Sequence, residues 1–351
     1  MGDAAPGKTF QPDVRPRLPR SRELGIGIVG AGGIIRYGHM PAYRQAGFRV
    51  VGIASRSEAS ARRMADEWAI PQAFTDWRRL LDLPGLAVVD VAYPFDEERL
   101  AIVRAAAERG KHILMQKPMA HSMAAAREMV AVAHDHGVLL AVNQNARWCP
   151  QYRAAEIAIR QGLLGDVYLL AHELQSNQDS QSWWQSRWYA TQERFQLMEY
   201  GVHHIDLMRF WAGAEPARVK ASIARKATQF ARGDMTASIQ LEFPGQALGA
   251  LIENNAAYAK APPFARFRVE GTRGVIHGEA MGNLGVTIQS ELLDDGEHRP
   301  ALPGSWFPDG FAGTMGELLC AIEEQRRPSI SGEDNLKTLD IIFAAYESAG
   351  L

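Results

Sequence analysis

Gly25-Ile26-Gly27-Ile28-Val29-Gly30-Ala31-Gly32-Gly33-Ile34-Ile35 is the stretch that decides the fold. Ile26 to Val29 is a short apolar run that ends in glycines, which reads as a buried strand entering a tight turn. Gly30 permits that turn. Gly32 lets the backbone approach a pyrophosphate, whose charge then sits on a helix N-terminus. Ile35 stands where a third glycine is usual, so the phosphate-binding motif is incomplete. Gly25, Gly27 and Gly30 match the same spacing, but they lie inside the strand and serve as a decoy. Ile35 to Ala46 reads as the helix that follows.

The pattern repeats outward from this unit. Strands are expected at Val50–Ala54, Ala87–Tyr93, His112–Met115 and Val138–Val142, with helices at Glu58–Trp68, Glu97–Arg109 and Ala124–His136 between them. Continuous apolar strands separated by helices mean a parallel sheet covered on both faces. The reading is a doubly wound nucleotide-binding domain over residues 24–145. Residues 1–23 carry several Arg and Pro and form an extended N-terminal arm, because proline at that density disfavours helix and sheet. Residues 146–351 change character. After a helix at Tyr152–Gln161 come strands Val167–Leu174, Arg218–Ile223, Thr236–Phe243, Ala247–Glu253, Phe267–Glu270 and Gly274–His277, with helix Glu199–Trp211 ahead of most of them. Helices Met315–Glu324 and Asn335–Ser348 close the chain. Runs of strands without intervening helices indicate an α+β domain with a large, mostly antiparallel open sheet.

Composition bounds the function. The chain has 351 residues, 46% hydrophobic and 22% charged, with a net charge of −2. That balance suits a globular protein of about two domains and argues against a nucleic-acid partner, which would want a basic field. No apolar run is long enough for a membrane span, and the N-terminus lacks the apolar core of a secretory signal. Two cysteines, Cys149 and Cys320, form no metal or redox pair and fit a reducing compartment, so the cytoplasm is expected.

Several side chains carry candidate chemistry. Ser55 and Arg56 close the second strand, where an Asp or Glu would bind the ribose of NAD; a hydroxyl beside a guanidinium suits the 2′-phosphate of NADP instead. Lys117, ahead of Pro118, stands at the carboxyl edge of the parallel sheet, where ligands of such folds bind, and its ammonium could orient a substrate hydroxyl and stabilise alkoxide character. Glu199, His203 and Asp206 share one helical face by spacing. Glu199 could fix the tautomer of His203, leaving the second imidazole nitrogen as a general base. His204 lies about a hundred degrees around that helix. A structural histidine, or a metal held by Glu199, His203 and Asp206, are the plainer readings; no second cluster supports the metal. Trp183-Trp184-Gln185-Ser186-Arg187-Trp188-Tyr189 is aromatic enough to serve as a sugar platform, a core or a subunit contact.

These residues resemble the glucose–fructose oxidoreductase, inositol dehydrogenase and rhizopine catabolism family, Gfo/Idh/MocA. The resemblance runs from Leu24 onward. Gly30-Ala31-Gly32-Gly33-Ile34 with His39-Met40-Pro41-Ala42 is similar to the family's first βα unit, and Arg109-Gly110-Lys111-His112-Ile113-Leu114 leading to Lys117-Pro118 to its Glu-Lys-Pro segment. Arg147-Trp148-Cys149-Pro150 with Gly162-Leu163-Leu164-Gly165 is similar to the domain junction, and Gly201-Val202-His203-His204-Ile205-Asp206 to the catalytic helix. The resemblance implies catalytic roles for Lys117, His203 and Glu199. It implies cofactor contacts from Gly30, Gly32, Gly33, Ile34, Ser55, Arg56, Tyr93, Pro94, Gln116 and Lys117, and substrate contacts from Arg147, Trp188 and His204. It also implies a homodimer or homotetramer built through the second domain's sheet. Two positions depart from the pattern. Gln116 replaces the glutamate before Lys117, and Tyr93-Pro94 stands where Thr-Pro-Asn is usual.

The expected function is hydride transfer between NAD(P), with NADP favoured, and a secondary hydroxyl of a sugar, inositol or related polyol. The alternatives are a dinucleotide-binding sensor without redox turnover, and an enzyme that retains its cofactor for transient oxidation in epimerisation or elimination.

Overall fold

The computed structural model describes residues 8–185, 187–281 and 285–351. The chain forms two compact units. One contains Arg15–Trp148 and Ser305–Lys337; the other contains the chain up to Val14, Cys149–Gly304 and Thr338–Leu351.

The first unit is the parallel sheet. Its strands are β1 (Gly25–Val29), β2 (Val50–Ala54), β3 (Ala73–Phe74), β4 (Leu86–Val91), β5 (His112–Met115) and β6 (Leu140–Val142). They lie side by side in the order β3-β2-β1-β4-β5-β6, every pair parallel. That order reverses direction next to β1, and in such sheets the crevice for a ligand opens at the carboxyl ends beside the reversal. Every residue of β1 is buried, as a strand covered on both faces requires. The helices are α1 (Met40–Ala46), α2 (Glu58–Trp68), α3 (Trp77–Leu81), α4 (Asp96–Glu108) and α5 (Met123–Asp135). Local chemistry starts several of them. The Ser57 side chain caps α2 at Ser60 N, Asp76 caps α3 at Arg78 N, and Ser122 caps α5 at Ala125 N.

Two features differ from the reading of the sequence. Ile35–His39, expected as α-helix, is a π-helix that runs into α1. The chain also returns to this unit late. Residues 305–337, which the sequence assigns to the second domain, pack into the core of the first: Phe311, Met315, Leu318 and Leu319 join Ile26, Ile28, Tyr43 and Val88 in one apolar cluster. Ser331 makes a bridge to Ala141 of β6.

The second unit holds α6 (Pro150–Arg160), β7 (Val167–Gln175), α7 (Ser182–Gln185), α8 (Val202–Ala212), and strands β8 (Arg218–Ala224), β9 (Thr236–Glu242), β10 (Leu248–Asn254), β11 (Phe264–Gly271), β12 (Gly274–Met281) and β13 (Val286–Ser290). Helix α9 (Asp309–Glu323) belongs to the first unit, and α10 (Gly332–Ser348) passes from the first to the second. The seven strands order as β13-β12-β11-β7-β10-β9-β8. All neighbours are antiparallel except β7 and β10. Strands β9 and β10 alternate buried with exposed or half-buried residues, so one face is covered and the other open. β3, α3 and β13 are short elements that the sequence reading passes over.

The arm from residue 8 carries neither helix nor strand. It is anchored all the same. Phe10 and Val14 are buried, Lys8 N donates to Asp294, and Arg20 N and Ser21 N donate to the Glu323 carboxylate. Residues 1–7 of the expected arm lie outside the described residues. No helix among the described residues is long and apolar enough to cross a membrane.

Candidate active site

The glycine loop of the first unit separates two reasons for glycine. Gly30 has φ +124, and a Cβ there would stand 2.5 Å from the Ala92 carbonyl oxygen, so the protein's own backbone demands glycine. Gly32 is different. Its φ is ordinary, and a Cβ on it would meet no protein atom within 4 Å. The space over Gly32 is a cradle that a side chain would fill, which fits a pyrophosphate lying against the backbone. Gly33 is nearly as open, with the Tyr37 ring at 3.8 Å, and Ile34 is exposed beside it. Ile35, in place of the third glycine, is fully buried and opens the π-helix.

At the end of β2, Ser55 is half-buried and Arg56 is exposed. The Arg56 guanidinium lies over the Tyr93 ring, 5.4 Å from its centroid. Tyr93, just beyond β4, packs edge-on against Phe95. Pro94 is half-buried between them. The β2 and β4 ends thereby form a single rim of one cation and two aromatic rings.

The turn after β5 is held from both sides. Lys117 is half-buried and joined to Pro118 by a cis peptide bond. Behind it, Gln116 Oε1 accepts from Lys117 N at 2.8 Å. Arg99 of α4 is buried and donates to the Tyr93, Pro118 and Met119 carbonyls, tying the β4 end to the Lys117 turn. Asp96 accepts from both His121 N and His121 Nδ1. Burial alone would raise the Asp96 pKa, but the His121 hydrogen bonds, with Arg99, hold it below the usual carboxylate value. Lys117 thus stands on a braced turn at the carboxyl edge of the sheet.

In the second unit the histidine helix has its own irregularity. Gln196–Gly201 is a π-helix that feeds α8. Glu199 sits inside it, so the regular α-helical spacing used to place Glu199 beside His203 does not hold through this turn. π-helical turns are rare and gather at functional sites, and no periodicity in the sequence announces this one. Asp234 anchors the entry: its carboxylate accepts from Phe195 N at 2.6 Å, Gln196 N at 3.1 Å and the Tyr346 hydroxyl at 3.0 Å. Burial raises the Asp234 pKa against those donors.

His203 is buried at the start of α8. His204 turns the other way, as the helical geometry requires. Its Nδ1 meets Glu253 Oε1 of β10 at 2.5 Å, and its ring stacks on His172 of β7 at 3.7 Å between centroids and 21° between planes. His172 Nε2 faces the Tyr152 hydroxyl at 2.7 Å, and Gln196 donates to Glu253. Burial, with His204 second, holds the His172 pKa well below its usual value. His172, His204 and Glu253 bring ligand-type atoms within 4.8 Å of one another. The stacking disfavours a shared ion, because lone pairs in two nearly parallel ring planes do not converge on one point. The cluster is better described as a hydrogen-bonded core for α8.

Three expected contacts look different in place. Arg147, expected beside substrate, is buried; its guanidinium donates to the Ser329 carbonyl at 2.9 Å and to Asp334 at 2.7 Å. His204, expected to touch substrate, is committed to Glu253. Asp206, counted with Glu199 and His203 on one face, is fully buried and accepts from Thr338. The aromatic stretch divides. Trp184 is fully buried with Phe195, Ala231 and Met235, Trp188 is half-buried against Tyr189, and Trp183 is exposed. Ser186 of that stretch lies outside the described residues.

A parallel sheet ordered about a central reversal, with an open glycine cradle at its carboxyl edge, defines a dinucleotide-binding oxidoreductase. The chain belongs to the Gfo/Idh/MocA oxidoreductases. Residues 24–144 match the oxidoreductase family with NAD-binding Rossmann fold, and residues 152–277 match the Gfo/Idh/MocA C-terminal domain. It is 26% identical to D-apiose dehydrogenase of Paraburkholderia graminis, across 92% of this chain and 86% of that one. It is 28% identical to 1,5-anhydro-D-fructose reductase of Ensifer adhaerens, across 92% of this chain and 95% of that one. Among solved structures, an oxidoreductase from Agrobacterium radiobacter in complex with NAD+, L-tartaric acid and magnesium superposes with a TM-score of 0.80 at 25% identity, covering 93% of this chain and 96% of that one.

Proposed function

We propose that the protein transfers hydride between NAD(P) and a secondary hydroxyl or carbonyl of a sugar or related polyol. The open cradle at Gly32 carries the reading, because a glycine that neither the backbone nor any protein neighbour requires is explained by a ligand. Gly30, Gly32, Gly33 and Ile34 would hold the pyrophosphate, and Ser55, Arg56, Tyr93 and Pro94 the adenosine end. Bound NAD(P) supplies the two-electron hydride acceptor or donor. Lys117, braced by Gln116, orients the substrate hydroxyl and stabilises negative charge on its oxygen as hydride leaves. His203 takes the hydroxyl proton in oxidation and returns it in reduction, with the proton held at the imidazole. The names of the relatives support a sugar substrate. Arg56, exposed at the end of β2, is the support for NADP, since a guanidinium there suits a 2′-phosphate. Trp188 and the open face of the seven-stranded sheet are proposed for substrate and for a second copy of the chain, in a cytoplasmic oligomer.

The test is titration with NADH and NADPH by nicotinamide fluorescence, followed by turnover on a panel of aldoses and cyclic polyols. Lys117→Met is expected to keep cofactor affinity and lose turnover by about a hundredfold or more. Arg56→Ala is expected to lose any preference for NADPH over NADH. Turnover intact in Lys117→Met would end the assignment of its role.

A further inference from the structure

Behind the Lys117 turn lies a buried polar cluster that the proposed chemistry does not use. His39 closes the first π-helix and is fully buried. Its Nδ1 meets Asp90 Oδ2 of β4 at 2.7 Å, and the Tyr43 hydroxyl of α1 donates to the same oxygen at 2.7 Å. Burial, then Asp90, push the Tyr43 pKa well up, so the phenol keeps its proton. On the far side, His39 Nε2 lies 3.3 Å from Gln116 Nε2 and 3.2 Å from Asn143 Nδ2.

We infer that Gln116 is a positioning residue for Lys117 that also holds His39 as a neutral imidazole with its proton on Nδ1. The logic starts from a peptide group, which has no choice of role. Lys117 N–H must donate, so the Gln116 atom it meets is the carbonyl oxygen, and the amide nitrogen faces His39. Asn143 approaches that same Gln116 oxygen at 3.2 Å, so it too presents its nitrogen, while its oxygen accepts from Thr314 at 2.8 Å. Two N–H donors converge on His39 Nε2, which must therefore be a bare acceptor. The single proton then lies on Nδ1 and is donated to Asp90. The titratable groups on the imidazole are Asp90 from β4 and Tyr43 from α1; Gln116, Asn143 and the Phe311 ring of α9 at 4.7 Å present neutral faces. A glutamate at position 116 would reverse this. Its second carboxylate oxygen would require a proton on Nε2 and would trap an imidazolium between two carboxylates. Gln116 therefore lowers the buried charge behind Lys117 while still accepting the Lys117 N–H.

The inference rests on the proposed role of Lys117 only for its kinetic part. The first measurement is long-range proton–nitrogen NMR of the 15N-histidine protein, with His39 assigned by His39→Gln. His39 Nε2 is expected to be unprotonated, and Nδ1 protonated, with no titration across the pH range where the protein is folded. Gln116→Glu is expected to protonate Nε2 at neutral pH and to add one ionisation to the kcat/KM profile that the parent lacks. Gln116→Met is expected to lower kcat about tenfold with cofactor Kd unchanged, because the Lys117 turn loses its acceptor. An imidazolium, or a proton on Nε2, in the parent protein would overturn the charge assignment. Unchanged kcat in Gln116→Met would overturn the positioning role. If Lys117→Met itself leaves turnover intact, the role of Lys117 fails, while the NMR result still decides the state of His39.

Discussion

Substituting alanine at Gly30 and at Gly32 separates a glycine needed by the fold from one needed by a ligand. At Gly30 the new Cβ would stand 2.5 Å from the Ala92 carbonyl oxygen, with φ at +124. The obstacle is backbone, not a side chain that can swing away. Forcing an L-residue into such a conformation costs roughly 1–3 kcal/mol before the clash is counted. A loss of about 3 kcal/mol lowers Tm by about 6–12 °C in a domain of this size. At Gly32 the new methyl meets nothing within 4 Å. Stability should stay within about 0.5 kcal/mol, as for other substitutions that touch nothing. A methyl in the cradle would instead hold a pyrophosphate off the backbone. The expected effect is a rise of about 10- to 100-fold in Kd for NAD(P)H, or about 1.4–2.7 kcal/mol. Thermal melts and fluorescence titrations on both variants read the two quantities independently. Unaltered NAD(P)H affinity in Gly32→Ala would refute the cradle. A melt as depressed as that of Gly30→Ala would refute the claim that the protein itself leaves the space open.

Further outcomes follow from the buried polar groups. In the unfolded chain His172 binds a proton below its usual pKa of about 6.5, whereas in the folded protein it does so only at much lower pH. The stability present above pH 6.5 therefore declines as the pH falls through that value, by up to about 1.4 kcal/mol per pH unit, and urea melts of His172→Phe should show a shallower decline. Arg147→Leu leaves Asp334 without its buried partner and is expected to cost about 3 kcal/mol in denaturant melts, with cofactor Kd unchanged. A variant that weakened substrate KM without changing stability would return Arg147 to the substrate.

Much of this protein was legible from its residues alone. The alternation of apolar strands and helices from Ile26 to Val142 determined a parallel, doubly wound sheet, because only a strand covered on both faces reads as a continuous apolar run. The alternation in β9 and β10 determined a sheet with one face open. Gly30 and Gly32 marked the loop, and Pro118 with its preceding lysine marked the turn. Local chemistry suffices for such features, since periodicity and turn residues act over a few positions. What the tertiary structure decided involves partners distant in the chain. Arg147 pairs with Asp334, and His204 with Glu253 and His172, through contacts that no local pattern encodes. The return of 305–337 to the first core depends on which apolar surface Phe311 and Met315 find. The two π-helical turns, at Ile35–His39 and Gln196–Gly201, insert a residue into helices whose composition reads as regular. Such a turn survives only where surrounding groups hold it: Asp90, Gln116 and Asn143 around His39, and Asp234 at the entry to α8. The sequence by itself determined the layers and the loop that faces the cofactor, because burial periodicity and glycine geometry are local. Only the tertiary structure decided which buried polar side chains hold one another, because each must find its partner across elements that packing brings together.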